Sequence, residues 1–133
     1  MRPPAGYVRF QATWPDRCGS HIGVFGLTNM LGRSGRLTPE QERFRVEHNA
    51  WYDAAYPDPS TVDPTVYDHT VNPGAVAWFR STATHLIARV DGYLEILASH
   101  GVACVRVESD DPGRIVYADD VQAVVVPHHP SRP

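Results

Sequence analysis

The sequence predicts a single α+β domain in which helices cover one face of a small, mostly antiparallel sheet. Three observations lead to this prediction. The chain has 133 residues, a length that suits one domain rather than two. Hydrophobic residues make up 42% and charged residues 20%, as in folded chains rather than disordered ones. Segments with the two-residue period of strands lie near the two ends and helical periods lie between them, so the two kinds of element are segregated.

The first strand is predicted over residues 7–12, where Val8, Phe10 and Ala12 share one face. The next segment is apolar but rich in glycine. We expect it to form a short or imperfect helix between Ser20 and Leu31, with Ser20 as its N-cap.

The clearest local signal is the segment TPEQ at positions 38–41. Thr38 suits the N-cap, a proline follows at the first helical position, and Gln41 can complete a capping box. The helix is predicted to run to about Tyr56, because Pro57 cannot continue it. Its inward stripe is predicted to be Phe44, His48, Trp51 and Ala55.

A second long helix is predicted from Phe79 to about position 100, because apolar residues repeat there at alternating spacings of four and three. Gly101 suits the left-handed position that ends a helix, and Val102 can then fold back on it. The stripe consists of Phe79, Ala83, Leu86, Val90, Tyr93 and Leu97.

Three strands are predicted to follow. The segments 102–108 and 115–118 are expected to pair as a hairpin around the turn DDPG at 110–113. The segment 121–126 is the most continuously apolar, so we expect it to be central. The predicted order is β-α-α-loop-α-β-β-β.

One domain is expected to cover residues 1–127, and residues 128–133, with two adjacent histidines, are expected to form a flexible tail. Within the domain, residues 57–74 have neither period and contain four prolines. Long loops inside compact domains are usually functional or disordered. Proline lowers the entropy cost of ordering, so we expect an ordered loop.

Aspartates recur every five residues through this region. We interpret them as Asp-Pro turns, in which the carboxylate accepts the backbone N–H two residues on. The alternative is an oxygen-rich site for Ca²⁺ or Mg²⁺. We expect no bound metal. The aspartates are Asp53, Asp58, Asp63 and Asp68.

Composition excludes several functions. All twelve basic residues are arginine, so the chain has neither a Schiff-base lysine nor a phosphate-binding lysine of the P-loop type. Its net charge of −3 argues against a nucleic-acid partner. The longest apolar run, residues 75–79, is too short to span a membrane. With no signal peptide expected and two distant cysteines, Cys18 and Cys104, we predict reduced thiols and a cytoplasmic location.

Two cysteine-based sites are weaker alternatives. Cys18 lies at an expected helix N-terminus and could act as a nucleophile, with His48, His69 or His85 as its base. Cys18 and His21 have the spacing of half a zinc site, but a second close pair is missing. The glycines at 19, 23 and 26 do not match a dinucleotide fingerprint, so no cofactor is expected.

Aromatic and imidazole side chains flank the 57–74 loop on both sides. We therefore expect a small cytosolic binding protein, such as an inhibitor, an immunity-type protein or a non-catalytic subunit, that recognises a protein partner through this loop. The alternative is a small-molecule enzyme or ligand-binding protein using His48, Tyr67, His69 and His85 in acid–base chemistry. A cavity above roughly 300 Å³ with His48, His69 or His85 pointing inward would favour the alternative. The candidate binding residues are Trp51, Tyr52, Tyr56, Tyr67, His69 and Trp78.

Overall fold

The computed structural model describes residues 5–17 and 19–128, and within them five strands form one antiparallel sheet. The sequence-based prediction of an α+β fold is confirmed. In chain order the elements are β1 Tyr7–Ala12, α1 Val24–Arg33, α2 Pro39–Ala55, α3 Pro59–Val62, β2 Val76–Arg80, α4 Thr84–Ala88, α5 Asp91–Ser99, β3 Cys104–Ser109, β4 Arg114–Ala118 and β5 Gln122–Val126.

A buried hydrophobic cluster joins the sheet to the helices. Strands β1 and β2 contribute the residues of one face, and α1, α2, α4 and α5 contribute their inward residues. The cluster includes Val8, Phe10 and Phe79 from the strands, and Val24, Leu31, Tyr52, Leu86, Tyr93 and Leu97 from the helices.

None of the helices in the described ranges combines the length and apolar character needed to cross a bilayer.

The predicted start of α2 is confirmed. The Thr38 hydroxyl accepts the Gln41 backbone N–H at 3.1 Å, and the Gln41 side chain accepts the Thr38 backbone N–H at 3.1 Å. The helix ends with Tyr56 as its C-cap. Its fully buried residue is Tyr52, whereas Trp51 is half-buried. The predicted stripe holds at Phe44, His48 and Trp51, which are half-buried, but Ala55 is exposed.

The prediction of one long helix from Phe79 is wrong. Residues 76–80 form β2, which pairs with β1 and β5, and two shorter helices follow. A short apolar run fits a buried strand as well as a helix, and sheet pairing decides between them. The predicted helix ending is confirmed, because Gly101 has φ +71° and the Val102 N–H donates to the Leu97 carbonyl at 2.9 Å.

The predicted hairpin between the strands around 110–113 is also wrong. β3 and β4 lie at opposite edges of the sheet, in the order β3-β1-β2-β5-β4. β3 pairs with β1 along its whole length, and β4 pairs with β5. The turn residues mark a change of direction without fixing which strands pair. β5 lies inside the sheet, where residues 122–125 are buried.

The predicted N-cap of α1, Ser20, is wrong as well. The helix begins at Val24, its N-cap is Gly23, and no side chain caps it. The capping signal of Ser20 was misleading because residues 22 and 23 pair with β1 instead of entering the helix: Gln11 lies opposite Gly23 in an isolated bridge.

The capping box of α2 gives a test of the fold. Thr38→Ala removes the acceptor for the Gln41 N–H and is expected to lower the free energy of unfolding by about 1 kcal/mol, measured by urea denaturation. Thr82→Ala is the control, because Thr82 is exposed and has no side-chain hydrogen bond within the described ranges, and it should change stability by less than about 0.5 kcal/mol. Equal losses in the two variants would contradict a capping role.

Candidate functional site

The site begins with a gap between two neighbouring strands. β1 pairs with β2 only at Tyr7 and Val8. Further along, the same edge of β1 pairs with the segment before α1, where Gln11 lies opposite Gly23. Arg9 lies between these two regions and has no partner in β2. The sheet is therefore open beside Arg9.

A cleft of about 460 Å³ lies on the sheet face that carries Arg9. Side chains alternate along a strand and directly opposed residues share a face, so Arg9 and Gln11 lie on the same face as Trp78 and opposite Val8. Residues of the 57–74 loop form another wall. The lining includes Arg9, Gln11, His21, His69, Pro73 and Trp78.

A second cavity, of about 170 Å³, shares Arg9 and Trp78 with the larger cleft. Its remaining walls come largely from the helix-covered face of the sheet and from α1. Most of these side chains are aromatic or aliphatic. They include Val8, Phe10, Phe25, Tyr56, Ala77 and Phe79.

Arg9 is the most unusual residue of the site. Arg9 is only 9% exposed. One guanidinium nitrogen, Nη2, donates to the His21 carbonyl at 3.0 Å, and Nε has no acceptor among the described residues. None of the carboxylates among the described residues forms an ion pair with the Arg9 guanidinium. A buried charge without a counter-ion costs several kcal/mol.

Burial lowers the pKa of Arg9 to about 10, and the nearby Tyr67 and Cys104 oppose part of that shift. The guanidinium therefore remains protonated at neutral pH. Trp78 adds a second unsatisfied donor, because its indole N–H is buried and has no acceptor in the described ranges. The two side chains that carry these buried donors, one of them charged, line both cavities.

Gly23 explains how the guanidinium fits beside α1. A Cβ atom at this position would lie 3.0 Å from Nη1 and 3.2 Å from Nη2 of Arg9. A glycine N-cap therefore leaves space for the buried side chain, and the start of α1 has no capping side chain as a result.

His21 is oriented by a hydrogen bond to the strand. Its Nδ1 lies 2.8 Å from the Ala12 carbonyl. A carbonyl oxygen only accepts, so Nδ1 carries the hydrogen and the ring is held at the cleft wall. In the neutral tautomer, Nε2 is then free to accept.

The structure brings some of the predicted binding residues to these cavities. His69 and Trp78 line the larger cleft, and Tyr56 and Trp78 line the smaller one. Tyr67 is 43% exposed, and its pKa is raised chiefly by burial, while the charge of Arg9 lowers it. Only part of the predicted set therefore converges around Arg9.

Two other predicted binding residues belong to the helix layer. Tyr52 is buried, and its hydroxyl donates to the Leu86 carbonyl at 2.6 Å. Trp51 lies beneath the guanidinium of Arg89, 3.7 Å from the ring centroid. Both side chains have structural partners of their own.

Two of the proposed catalytic histidines lie outside the cleft lining. His48 stacks on Phe44 with ring centroids 3.8 Å apart, and its Nδ1 is buried with no partner among the described residues. His85 is exposed on α4. Of the four candidates for acid–base chemistry, His69 is the one that lines the larger cleft.

The interpretation of the recurring aspartates as turn residues is confirmed for three of the four. Asp58, Asp63 and Asp68 each accept the backbone N–H two residues on, at 2.9, 3.0 and 2.8 Å. The hydroxyl and backbone N–H of Thr65 lower the pKa of Asp63. Asp53 is exposed on α2. Within the described residues, no group of three His, Cys, Asp or Glu side chains could hold a metal ion.

Cys18, the proposed nucleophile and one ligand of the proposed zinc pair with His21, lies outside the described residues. Cys104 is half-buried, and burial raises the pKa of its thiol. Most of the predicted tail, residues 129–133, also lies outside them. His128 is described and contacts the Asp111 carboxylate at 2.6 Å.

The sequence-based reasoning missed Arg9. The alternation in β1 placed it opposite Val8 and Phe10, on a face expected to be polar. The missing information was that loop residues cover this face. The interior position of β1 in the sheet is what makes Arg9 unusual, since charged residues are almost never fully buried unless paired.

Replacing Arg9 tests whether the buried charge opposes folding. Arg9→Met keeps much of the side-chain volume, and we expect an unchanged free energy of unfolding or a gain of about 1 kcal/mol in urea denaturation. Arg80→Met is the comparison, because the Arg80 Nε–H donates to the Asp119 carbonyl at 2.6 Å, and it should lose about 1.5 to 3 kcal/mol. A loss above about 2 kcal/mol in Arg9→Met would make its guanidinium structural.

Comparisons with known proteins provide no relative for this chain. No protein-family model, curated protein or solved structure matches it. The function therefore has to be inferred from the geometry and chemistry of the site around Arg9.

Proposed function

We propose that this protein binds a small organic anion in the cleft between the sheet and the 57–74 loop. The observation that carries the proposal is the buried guanidinium of Arg9, which has no carboxylate partner in the described ranges and lines the cleft wall. An anion at this position would supply the missing counter-ion.

The donor set favours a carboxylate. Arg presents a planar fork of donors that matches two carboxylate oxygens, and charge-assisted hydrogen bonds of this kind are the strong ones. The buried Trp78 N–H offers a further neutral donor. One cation with one neutral donor suits a singly charged group better than a dianionic phosphate.

The size of the cleft supports a small-molecule ligand. Its volume of about 460 Å³ falls in the range of typical small-molecule pockets, roughly 300 to 1,000 Å³. A general base must lie within hydrogen-bond reach of its substrate, so His48 and His85, which are not in the cleft lining, do not serve a ligand in this cleft.

A protein partner is the second candidate. The 57–74 loop exposes three large side chains, with Val62 at 63%, Val71 at 53% and Tyr67 at 43%. Exposed aliphatic and aromatic residues on an ordered loop are suitable contacts for a protein interface. This candidate does not account for the unpaired guanidinium beneath the loop.

Titration with sodium acetate, followed by NMR chemical shifts of the backbone amides, tests the proposal. We expect saturable shifts around Arg9 and Trp78. Arg9→Met should weaken binding at least about tenfold, since a hydrogen bond to a charged group contributes roughly 1.5 to 3 kcal/mol.

Arg114→Met is the matched control, because it removes the same charge from an exposed position on β4. Its acetate affinity should stay within about twofold of the wild-type value, as expected for a screened surface charge. If both variants lose affinity equally, the anion is attracted by overall charge rather than by the cleft.

A further inference from the structure

We infer that the ligand is an aromatic carboxylic acid, whose carboxylate binds Arg9 while its single ring occupies the smaller cavity. This inference rests on the proposed function and specifies its ligand. The observation behind it is that the larger cleft and the smaller cavity share Arg9 and Trp78.

The volume of the smaller cavity suits one six-membered ring. It measures about 170 Å³. An apolar cavity of about 150 Å³ is sufficient to bind benzene. A single phenyl group therefore fits, and little space remains for a second fused ring.

The walls of the smaller cavity are suited to an aromatic group. Phe10, Phe25, Tyr56 and Phe79 contribute to them. Phe25 already contacts Phe79 edge-to-face, with ring centroids 6.4 Å apart. Aromatic rings attract one another in such edge-to-face arrangements beyond the effect of buried area alone.

The polar groups of this cavity are largely satisfied by the protein itself. The side-chain amide of Gln122 donates to the Pro57 carbonyl and to the Asp119 carboxylate, both at 3.0 Å. Arg9 and Trp78, whose side chains each carry an unsatisfied donor, line both this cavity and the larger cleft. Apolar walls with donors at one boundary match a ligand with an apolar ring and one anionic end.

The larger cleft has a different role in this arrangement. It brings the polar side chains His21 and His69 to the other side of Arg9. The carboxylate would therefore lie at the boundary between the cavities, with the ring on the helix side. Phenylacetate, which places its ring one methylene from the carboxylate, is the probe that corresponds to this geometry.

The test compares three probes by isothermal titration calorimetry and NMR. Phenylacetate carries ring and charge, acetate carries only the charge, and phenylacetamide carries only the ring. We expect phenylacetate to bind at least tenfold more tightly than either of the others. Its binding should shift the Trp78 indole N–H signal, which is assigned by its loss in Trp78→Phe.

Filling the smaller cavity tests where the ring binds. Ala77 lines that cavity from β2, so Ala77→Leu should reduce the ratio of phenylacetate to acetate affinity at least fivefold. Ala77→Val is a smaller change that should reduce it in the same direction if the leucine variant does not fold. Ala88→Leu, at an exposed position on α4, is the control and should leave the ratio within twofold.

The outcomes separate this inference from the proposed function. If acetate binds through Arg9 but phenylacetate binds no more tightly, the aromatic ligand is excluded while the anion site stands. An unchanged affinity ratio in Ala77→Leu would also overturn the inference. If neither carboxylate binds, or if phenylacetamide binds as tightly as phenylacetate, the proposed anion function itself is wrong.

Discussion

The limited pairing between β1 and β2 is the constraint on which the rest of the structure depends. Two neighbouring strands in the middle of the sheet share only two residue pairs, at Tyr7 and Val8. The remainder of that edge of β1 is occupied by the segment before α1, which pairs at Gln11. A fully paired β2 would leave no gap beside Arg9. The opening in the sheet, the two cavities and the burial of the guanidinium all follow from this irregular pairing.

The molecule combines a well-packed helix layer with an electrostatically unfavourable region. In the helix layer, the buried tyrosines have partners: Tyr52 donates to the Leu86 carbonyl, and Tyr93 donates to Asn49 at 2.7 Å, while the buried His48 Nδ1 has none among the described residues. Around Arg9 and Trp78, donors are buried without acceptors within the described residues. Native proteins generally satisfy such groups, and exceptions require an explanation. An anionic ligand would provide one, because the interaction that is missing from the protein alone would then be formed on binding.

Local signals predicted local structure well and pairing poorly. The capping box at Thr38 and the helix ending at Gly101 depend on a few adjacent residues, and both were recognisable. The apolar run of β2 was ambiguous, because a buried strand has no period that distinguishes it from a helix. The partner of β3 depends on contacts about a hundred residues apart. Arg9 was missed because its burial depends on tertiary contacts, with the His21 carbonyl and Gly23 lying against its guanidinium.

The glycine at the start of α1 connects helix stability with the proposed site. Serine or asparagine at an N-cap normally stabilises a helix more than glycine does. At Gly23, however, any side chain would press its Cβ against the guanidinium of Arg9. Selection for a more stable helix and selection for an intact site therefore act in opposite directions at this position. A stabilising consensus design that places a capping residue here would require the Arg9 guanidinium to shift.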